Sequence, residues 1–208
     1  MLKTERMDRV RAALRAQGLT QMIVCDPKSV WYLTGVAVEP YERLLALYLP
    51  TEGEPVLFLN RLFNVPEPPC RTVWHTDTDK PVAQIAEVVD AGRPLGIDKE
   101  WPAKFLIPLM ETHPGMQVVL SSDCVDDCRA CKDAEEQTLM REASRINDAV
   151  NEAAKHYIKA GMTEREVAEF IGAQFRAHGC EGPSFTTIVS FGANTAEDRK
   201  STRLNSSH

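Results

Sequence analysis

The first 125 residues alternate between two hydrophobic periods. Met7, Val10 and Leu14 recur at helical spacing, and Gly18 follows where a left-handed residue can end a helix. Short apolar or β-branched runs between turn residues predict strands at 21–25, 44–49, 55–59, 72–74, 95–97 and 117–120. Gly53 supplies the positive φ of a turn between the second and third runs, which indicates a β-hairpin. Helical patterns at 29–33, 82–89 and 105–110 complete an α/β layered domain over residues 1–125.

The pattern becomes helical after residue 132. Apolar residues between Leu139 and Tyr157 follow one another at spacings of three and four. Asp133 and Glu136 precede them and form a carboxylate version of the capping box. These features predict a long helix that begins near residue 134 and ends at Gly161.

A second helix and a strand follow this long helix. Thr163 and Glu166 form another capping box, and Gly179 ends the second predicted helix. The β-branched and aromatic run Phe185 to Ser190 favours a strand. Two helices and one strand are too few elements to close a core, so they indicate a domain that is only partly present.

The predicted organisation therefore has four parts. A complete α/β domain covers residues 1–125, a linker covers 126–133, and the incomplete α+β domain covers 134–197. Residues 198–208 form a polar tract that follows an apolar segment without a turn. Because a common sequencing-library adapter encodes all eleven of these residues in one reading frame, we interpret 198–208 as non-native and exclude them from fold reasoning.

Composition and charge exclude several function classes. The 208 residues are 43% hydrophobic and 26% charged, with a formal net charge of -6 and no long block of like charge. This balance disfavours nucleic-acid binding. The apolar runs are too short to span a membrane and no apolar signal segment opens the chain, so we expect a soluble cytoplasmic protein. The six cysteines are then expected to be free or metal-bound thiols.

The densest group of chemically reactive residues is Cys124-x3-Cys128-x2-Cys131. Three thiolates at this spacing can hold an iron–sulfur cluster, as in radical S-adenosylmethionine enzymes. The same spacing places the cysteines on one helix face, where they pack as small apolar residues. We favour packing, and keep the cluster and a fortuitous metal or redox site as alternatives. Asp77-x-Asp79 and the scattered histidines are interpreted as structural.

Several motifs, each weak alone, occur in an order that resembles the creatinase, prolidase and aminopeptidase P family of pita-bread metallohydrolases. The resemblance covers residues 3–197. Its pieces are Met7 to Val10, Trp31 to Gly35, Gly96 to Asp98, Arg129 to Lys132, Glu135 with Glu136, Gly161 to Glu164, Ser184 with Phe185, and Ile188 to Asn194. The resemblance implies an N-terminal α/β domain with a mixed sheet, fused to the first elements of a pita-bread catalytic domain.

This resemblance also implies a chemistry. Enzymes of this family bind two divalent metals, Mn, Co or Zn, through two Asp, one His and two Glu, and commonly hydrolyse a peptide bond next to proline. All five ligands would follow Asn194, so the resemblance implies no metal ligand and no catalytic residue in this chain, which is expected to be inactive. Phe185 matches a family position near the substrate pocket, although a core aromatic is the simpler interpretation. A homodimer is expected, with a proline-containing peptide as substrate of the parent protein.

The alternative to a peptidase fragment is a non-catalytic α/β dimerisation or binding module of the same family. The sequence leaves open the peptide specificity and the metal preference. It also leaves open an amidinohydrolase of the creatinase type. The residues that decide these questions would all follow Glu197.

Overall fold

A computed structural model describes residues 2–182 and 184–196. Two compact units divide the chain between Cys131 and Lys132. The tract 198–208, whose non-native origin stays a prediction, lies outside the described residues.

One mixed β-sheet forms the centre of the first unit. Its six strands lie in the order β4-β3-β2-β1-β5-β6. They are β1 (Gln21–Val24), β2 (Ala46–Pro50), β3 (Val56–Asn60), β4 (Arg71–His75), β5 (Leu95–Ile97) and β6 (Val118–Leu120). The pairs β1–β2 and β2–β3 are antiparallel, whereas β1–β5, β5–β6 and β3–β4 are parallel. The mixed sheet expected from the resemblance is therefore confirmed.

Five helices cover the two faces of this sheet. They are α1 (Thr4–Ala16), α2 (Pro27–Thr34), α3 (Pro81–Ala86), α4 (Ala103–Thr112) and α5 (Asp123–Ala130). One apolar core joins α1, α2 and α5 to the face that carries Met22 and Val24, and a second joins α3 and α4 to the face that carries Ile23. Successive residues of β1 thus serve opposite cores, as the period of two in a strand requires. The result is an α/β/α arrangement of three layers.

The turn signals of the first unit are confirmed. Gly18, two residues after α1, has φ of 73°, and Gly53 has φ of 99° in the hairpin between β2 and β3. Gly35, which directly follows α2, also has a positive φ of 75°. The end of the unit differs from the expected boundary at residue 125. Helix α5 continues to Ala130 and packs Cys124 and Val125 into the core, so residues 126–130 belong to a helix rather than to a linker.

The second unit contains two long helices, α6 (Ala134–Tyr157) and α7 (Glu164–Ala177). Both predicted capping boxes are present, with Asp133 and Thr163 each accepting the backbone N–H three residues later. Helix α6 ends at Tyr157, four residues before the predicted stop at Gly161. The aromatic rings of Tyr157 and Phe170 stack with centroids 3.8 Å apart and join the two helices.

The strand predicted at residues 185–190 is not formed. This segment has no regular secondary structure, and Gly192–Ala196 forms a short 3-10 turn after it. A strand requires a neighbour that completes its ladder of hydrogen bonds. No strand of the described part of the second unit offers such an edge, so local β propensity alone gave the wrong prediction here.

Candidate functional site

Phe185, the single residue for which the sequence suggested a substrate contact, lies beside an open cleft of the second unit. The cleft has a volume of about 620 Å³. Its apolar wall comes from α6 and α7 and includes Ala143, Ile146, Ile171 and Phe175. The Phe185 side chain is 70% exposed, so it is not the core aromatic that the simpler interpretation required. The substrate contact itself stays a prediction.

A carboxylate at the start of α7 holds the segment that follows this cleft. One oxygen of Glu164 accepts the Phe191 N–H at 2.7 Å and the Asn194 side-chain amide at 2.9 Å. These hydrogen bonds lower the pKa of Glu164. Glu166 already completes the capping box of α7, so Glu164 is available for this separate contact. The 3-10 turn Gly192–Ala196 is thereby fixed to the N-terminus of the helix.

The first unit contains a buried polar cluster at the carboxyl ends of β1 and β5. The Asp98 carboxylate accepts the backbone N–H groups of Cys25 at 2.6 Å, Asp26 at 2.8 Å and Glu100 at 3.0 Å. It also accepts the Cys25 thiol at 2.9 Å. Burial and the neighbouring Asp98 charge strongly raise the pKa of Cys25, so this thiol is not a nucleophile at neutral pH. The cluster ties the two strand ends together.

The three cysteines of the Cys124-x3-Cys128-x2-Cys131 motif are not equivalent. Cys124 packs in the core of the first unit, Cys128 is half-buried beside it, and Cys131 is exposed just after α5 ends. Packing, the interpretation favoured from the sequence, thus describes Cys124 and partly describes Cys128. It does not describe Cys131.

Asp77 and Asp79 are held by protein partners in the first unit. Arg43 forms a bidentate pair with Asp77, both nitrogen–oxygen distances being 2.9 Å, and Asp79 accepts the N–H and hydroxyl of Thr76. The Arg43 hydrogen bond lowers the pKa of Asp77, and the Thr76 hydrogen bonds lower that of Asp79. Asp79 thus closes a turn, in agreement with the structural interpretation of this pair.

The described residues do not fit a metal centre. Within residues 2–182 and 184–196, no group of three or more His, Cys, Asp and Glu side chains is placed to hold a metal ion. A two-metal hydrolase needs several carboxylates that converge on one point. No step of a metal-dependent reaction can therefore be assigned to these residues.

Comparison with known protein families identifies both units. Residues 6–131 match the Creatinase/Prolidase N-terminal domain. The chain belongs to the creatinase/prolidase family. Residues 138–204 match Metallopeptidase family M24, whose members are peptidases that generally use two metal ions. The two matches follow one another in the order that the sequence motifs indicated.

Individual relatives agree with this assignment. The chain is 26% identical over 191 residues to an uncharacterized peptidase of Staphylococcus epidermidis, covering 90% of this chain and 54% of that protein. It resembles a dipeptidase structure from Mycobacterium ulcerans with a TM-score of 0.77 and 27% identity, covering 88% of this chain and 51% of the other. A prolidase structure from Thermococcus sibiricus gives a TM-score of 0.79 and 25% identity, over 89% and 53% of the two chains. The chain thus spans about half the length of the relatives that it matches.

Two polar contacts were not predicted from the sequence. The Asp98 cluster belongs to the Gly96 to Asp98 motif, but two of its partners, Cys25 and Asp26, lie more than 70 positions away in the chain. The Glu164 contact had a local signal, because Thr163 and Glu166 alone complete the capping box and leave Glu164 unused.

Of the described helices, none is long and apolar enough to cross a membrane. The cytoplasmic location stays a prediction.

Proposed function

We propose that this chain is the N-terminal part of a metal-dependent Xaa-Pro peptidase of the aminopeptidase P or prolidase type. The observation that carries the proposal is the succession of two matches, Creatinase/Prolidase N-terminal domain and then family M24, in one chain. The resemblance to structures of a dipeptidase and a prolidase, at 27% and 25% identity, supports the same reaction class. Hydrolysis of the bond next to proline is the specific activity proposed.

The second unit would contribute one wall of the substrate pocket. Phe185 presents an exposed aromatic ring beside the cleft formed by α6 and α7, and an aromatic ring suits the apolar ring of a proline residue. Glu164 would act as a positioning residue, because it fixes the turn that follows Phe191. We propose that the metal ligands come from sequence beyond residue 197.

The chain as given should then be inactive. Two-metal hydrolysis needs both ions to polarise the scissile carbonyl and to activate water, and the described residues supply no site for either ion. The test compares this chain with a protein expressed from the same start through the rest of the gene. Both are incubated with Ala-Pro, Leu-Pro and an Xaa-Pro-Pro peptide in the presence of Mn²⁺, Co²⁺ or Zn²⁺.

We expect the extended protein alone to release the amino acid before proline, and EDTA to abolish this release. Turnover by the 208-residue chain above a metal-only blank would refute its proposed inactivity. An extended protein that binds no metal and hydrolyses none of the peptides would favour a non-catalytic module instead. Hydrolysis of creatine but not of the peptides would favour an amidinohydrolase. We also propose that the extended protein is a homodimer, which light scattering on the same samples tests.

The role of Phe185 is tested in the extended protein. Phe185→Ala should raise KM for Xaa-Pro substrates about tenfold with a much smaller change in kcat, because a lost apolar contact of roughly 1.4 kcal/mol weakens binding before the chemical step. Leu139→Ala is the matched control, since Leu139 is also an exposed apolar residue of the second unit and does not line the cleft. Equal KM values for Phe185→Ala and the parent would remove Phe185 from the substrate pocket.

A further inference from the structure

The last turn of α5 carries two thiols that the family assignment does not use. Cys128 and Cys131 are both free, and they are separated by Arg129 and Ala130. Cys131 follows the last helical residue, and its N–H still bonds the Asp127 carbonyl at 3.4 Å. Helical geometry therefore places the two Cα atoms about 5 Å apart. This separation lies within the range that a disulfide spans.

The two thiols differ in access to solvent. Cys131 is exposed, whereas Cys128 is half-buried and packs against the core of the first unit. An exposed thiol can meet a reagent from solution, and a neighbouring shielded thiol can then react with the product within the same molecule. Such a division between an attacking and a resolving cysteine is typical of Cys-x-x-Cys pairs.

Polar contacts hold the backbone of this turn in place. The Tyr32 hydroxyl donates to the Cys128 carbonyl at 3.1 Å, and the Arg9 guanidinium donates to the Tyr32 oxygen at 2.7 Å and to the Cys131 carbonyl at 3.5 Å. Burial raises the pKa of Cys128, and the Arg9 charge acts in the opposite direction. Burial outweighs Arg9, so the pKa of Cys128 is raised overall, which is consistent with Cys128 reacting second, inside the molecule, rather than first with a reagent from solution.

We propose that Cys128 and Cys131 form a redox-active dithiol that a small-molecule disulfide, such as oxidised glutathione, converts to an intramolecular disulfide. The Cys131 thiolate attacks one glutathione sulfur, the glutathione S–S bond breaks, and one glutathione leaves as its thiolate. The Cys128 thiolate then attacks the Cys131 sulfur and releases the second glutathione. The two protein thiols together lose two protons and two electrons. Glutathione disulfide accepts these protons and electrons and is reduced to two molecules of glutathione.

Closure requires only a local adjustment. The Cβ atoms of helical residues three apart are about 5–6 Å apart, whereas a disulfide needs about 3.5–4.5 Å. The helix ends at Cys131, whose ψ is 98°, and the hydrogen bond from its N–H to the Asp127 carbonyl is long, at 3.4 Å. Terminal turns of helices rearrange at low cost because few hydrogen bonds depend on them.

Cys124 is the competing partner for Cys128, one turn earlier in α5. It is 2% exposed, and burial with the nearby Asp123 charge raises its pKa to about 11. A small-molecule disulfide therefore meets Cys131 first. The preferred product is the 128–131 disulfide.

The test uses the complete 208-residue chain, reduced and then incubated with oxidised glutathione. We expect its intact mass to fall by two hydrogen atoms, with no change in far-UV circular dichroism. Because trypsin cleaves after Arg129, a 128–131 disulfide joins two tryptic peptides. Asp-N cleavage before Asp126 and Asp127 separates Cys124 from Cys128 and identifies which of them is linked to Cys131.

Three variants complete the test. Cys131→Ser should form no disulfide, and Cys128→Ser should retain one glutathione on Cys131. Cys180→Ser, a control in the second unit, should still lose two hydrogens at the 128–131 pair. A 124–128 disulfide, an unlinked glutathione on Cys131 of the unsubstituted chain, or unchanged oxidation in Cys131→Ser would each overturn the proposal.

Discussion

Removing the Asp98 carboxylate should destabilise the first unit more than any change to an exposed charge. Asp98 is 6% exposed, and it receives the N–H groups of Cys25, Asp26 and Glu100 together with the Cys25 thiol. Asp98→Ala deletes all four hydrogen bonds. It leaves the donors at the end of β1 without an acceptor in a region from which the fold largely excludes water.

The size of the effect follows from these contacts. A hydrogen bond to a charged group contributes about 1.5–3 kcal/mol, and an unsatisfied buried donor costs about 1–3 kcal/mol. Glu100 is exposed, so its N–H can form a hydrogen bond with water after the substitution. Only the N–H groups of Cys25 and Asp26 therefore contribute their full cost to the loss of stability. The surrounding backbone can relax and some water can enter the site, and both effects reduce the summed cost of the lost hydrogen bonds. We expect Asp98→Ala to lower the free energy of unfolding by about 3–5 kcal/mol.

The assay combines urea denaturation with native-state hydrogen exchange. Circular dichroism follows the change in the global free energy of unfolding. The exchange rates of the Cys25 and Asp26 amides report the change in local stability at the end of β1. Asp98→Asn keeps one acceptor oxygen and should lose about 1–2 kcal/mol. Glu100→Ala, an exposed carboxylate two residues away, should change stability by less than about 0.5 kcal/mol. A loss below about 1 kcal/mol in Asp98→Ala, with unchanged exchange of both amides, would show that the carboxylate does not hold the strand ends.

Three further changes test the helix ends and interiors. Gly172→Ala should stabilise α7 by about 0.5–1 kcal/mol in thermal unfolding, because a Cβ there meets only the flexible Arg176 tip at 3.4 Å. Thr163→Ala should cost about 1 kcal/mol and speed amide exchange in the first turn of α7, since the capping box is lost. Burial acts to raise the pKa of Asp26, but hydrogen bonds from Ser29 outweigh it and the pKa is lowered. The stability that Asp26 contributes is thus present above pH 4 and lost as the pH falls through the lowered value, so urea midpoints of the parent and Asp26→Asn should converge between about pH 4 and pH 2.

Local signals predicted most of the first unit because its elements carry their own boundaries. The glycines at 18 and 53 adopt the positive φ expected of them, and the apolar runs around them form the strands and helices anticipated. The capping boxes likewise allowed the first residues of α6 and α7 to be predicted. The end of α6 was missed because Gly161 shapes the following loop rather than the last helical turn.

Long-range polar contacts are not encoded in such local patterns. Asp98 could be recognised as part of a motif. A single sequence gives no sign, however, that its carboxylate accepts the N–H groups of Cys25 and Asp26, which lie 73 and 72 residues earlier. The same limit applies to Arg9 and Tyr32, which reach the end of α5 from the other end of the unit. Burial and pairing of such groups become visible only once the sheet order is known.

The segment at residues 185–190 shows most directly why β propensity needs a partner. Val189 is buried, yet Ile188 and Phe185 stay exposed, because no strand among residues 132–182 and 184–196 completes a ladder beside them. If the proposed function holds, sequence beyond residue 197 supplies that neighbour and converts the segment into a strand. Amide exchange of residues 186–190 should then be at least tenfold slower in the extended protein than in the 208-residue chain, whereas exchange in β1 should be the same in both. Equal exchange of 186–190 in an extended protein that is active would show that this segment remains a loop within the working enzyme.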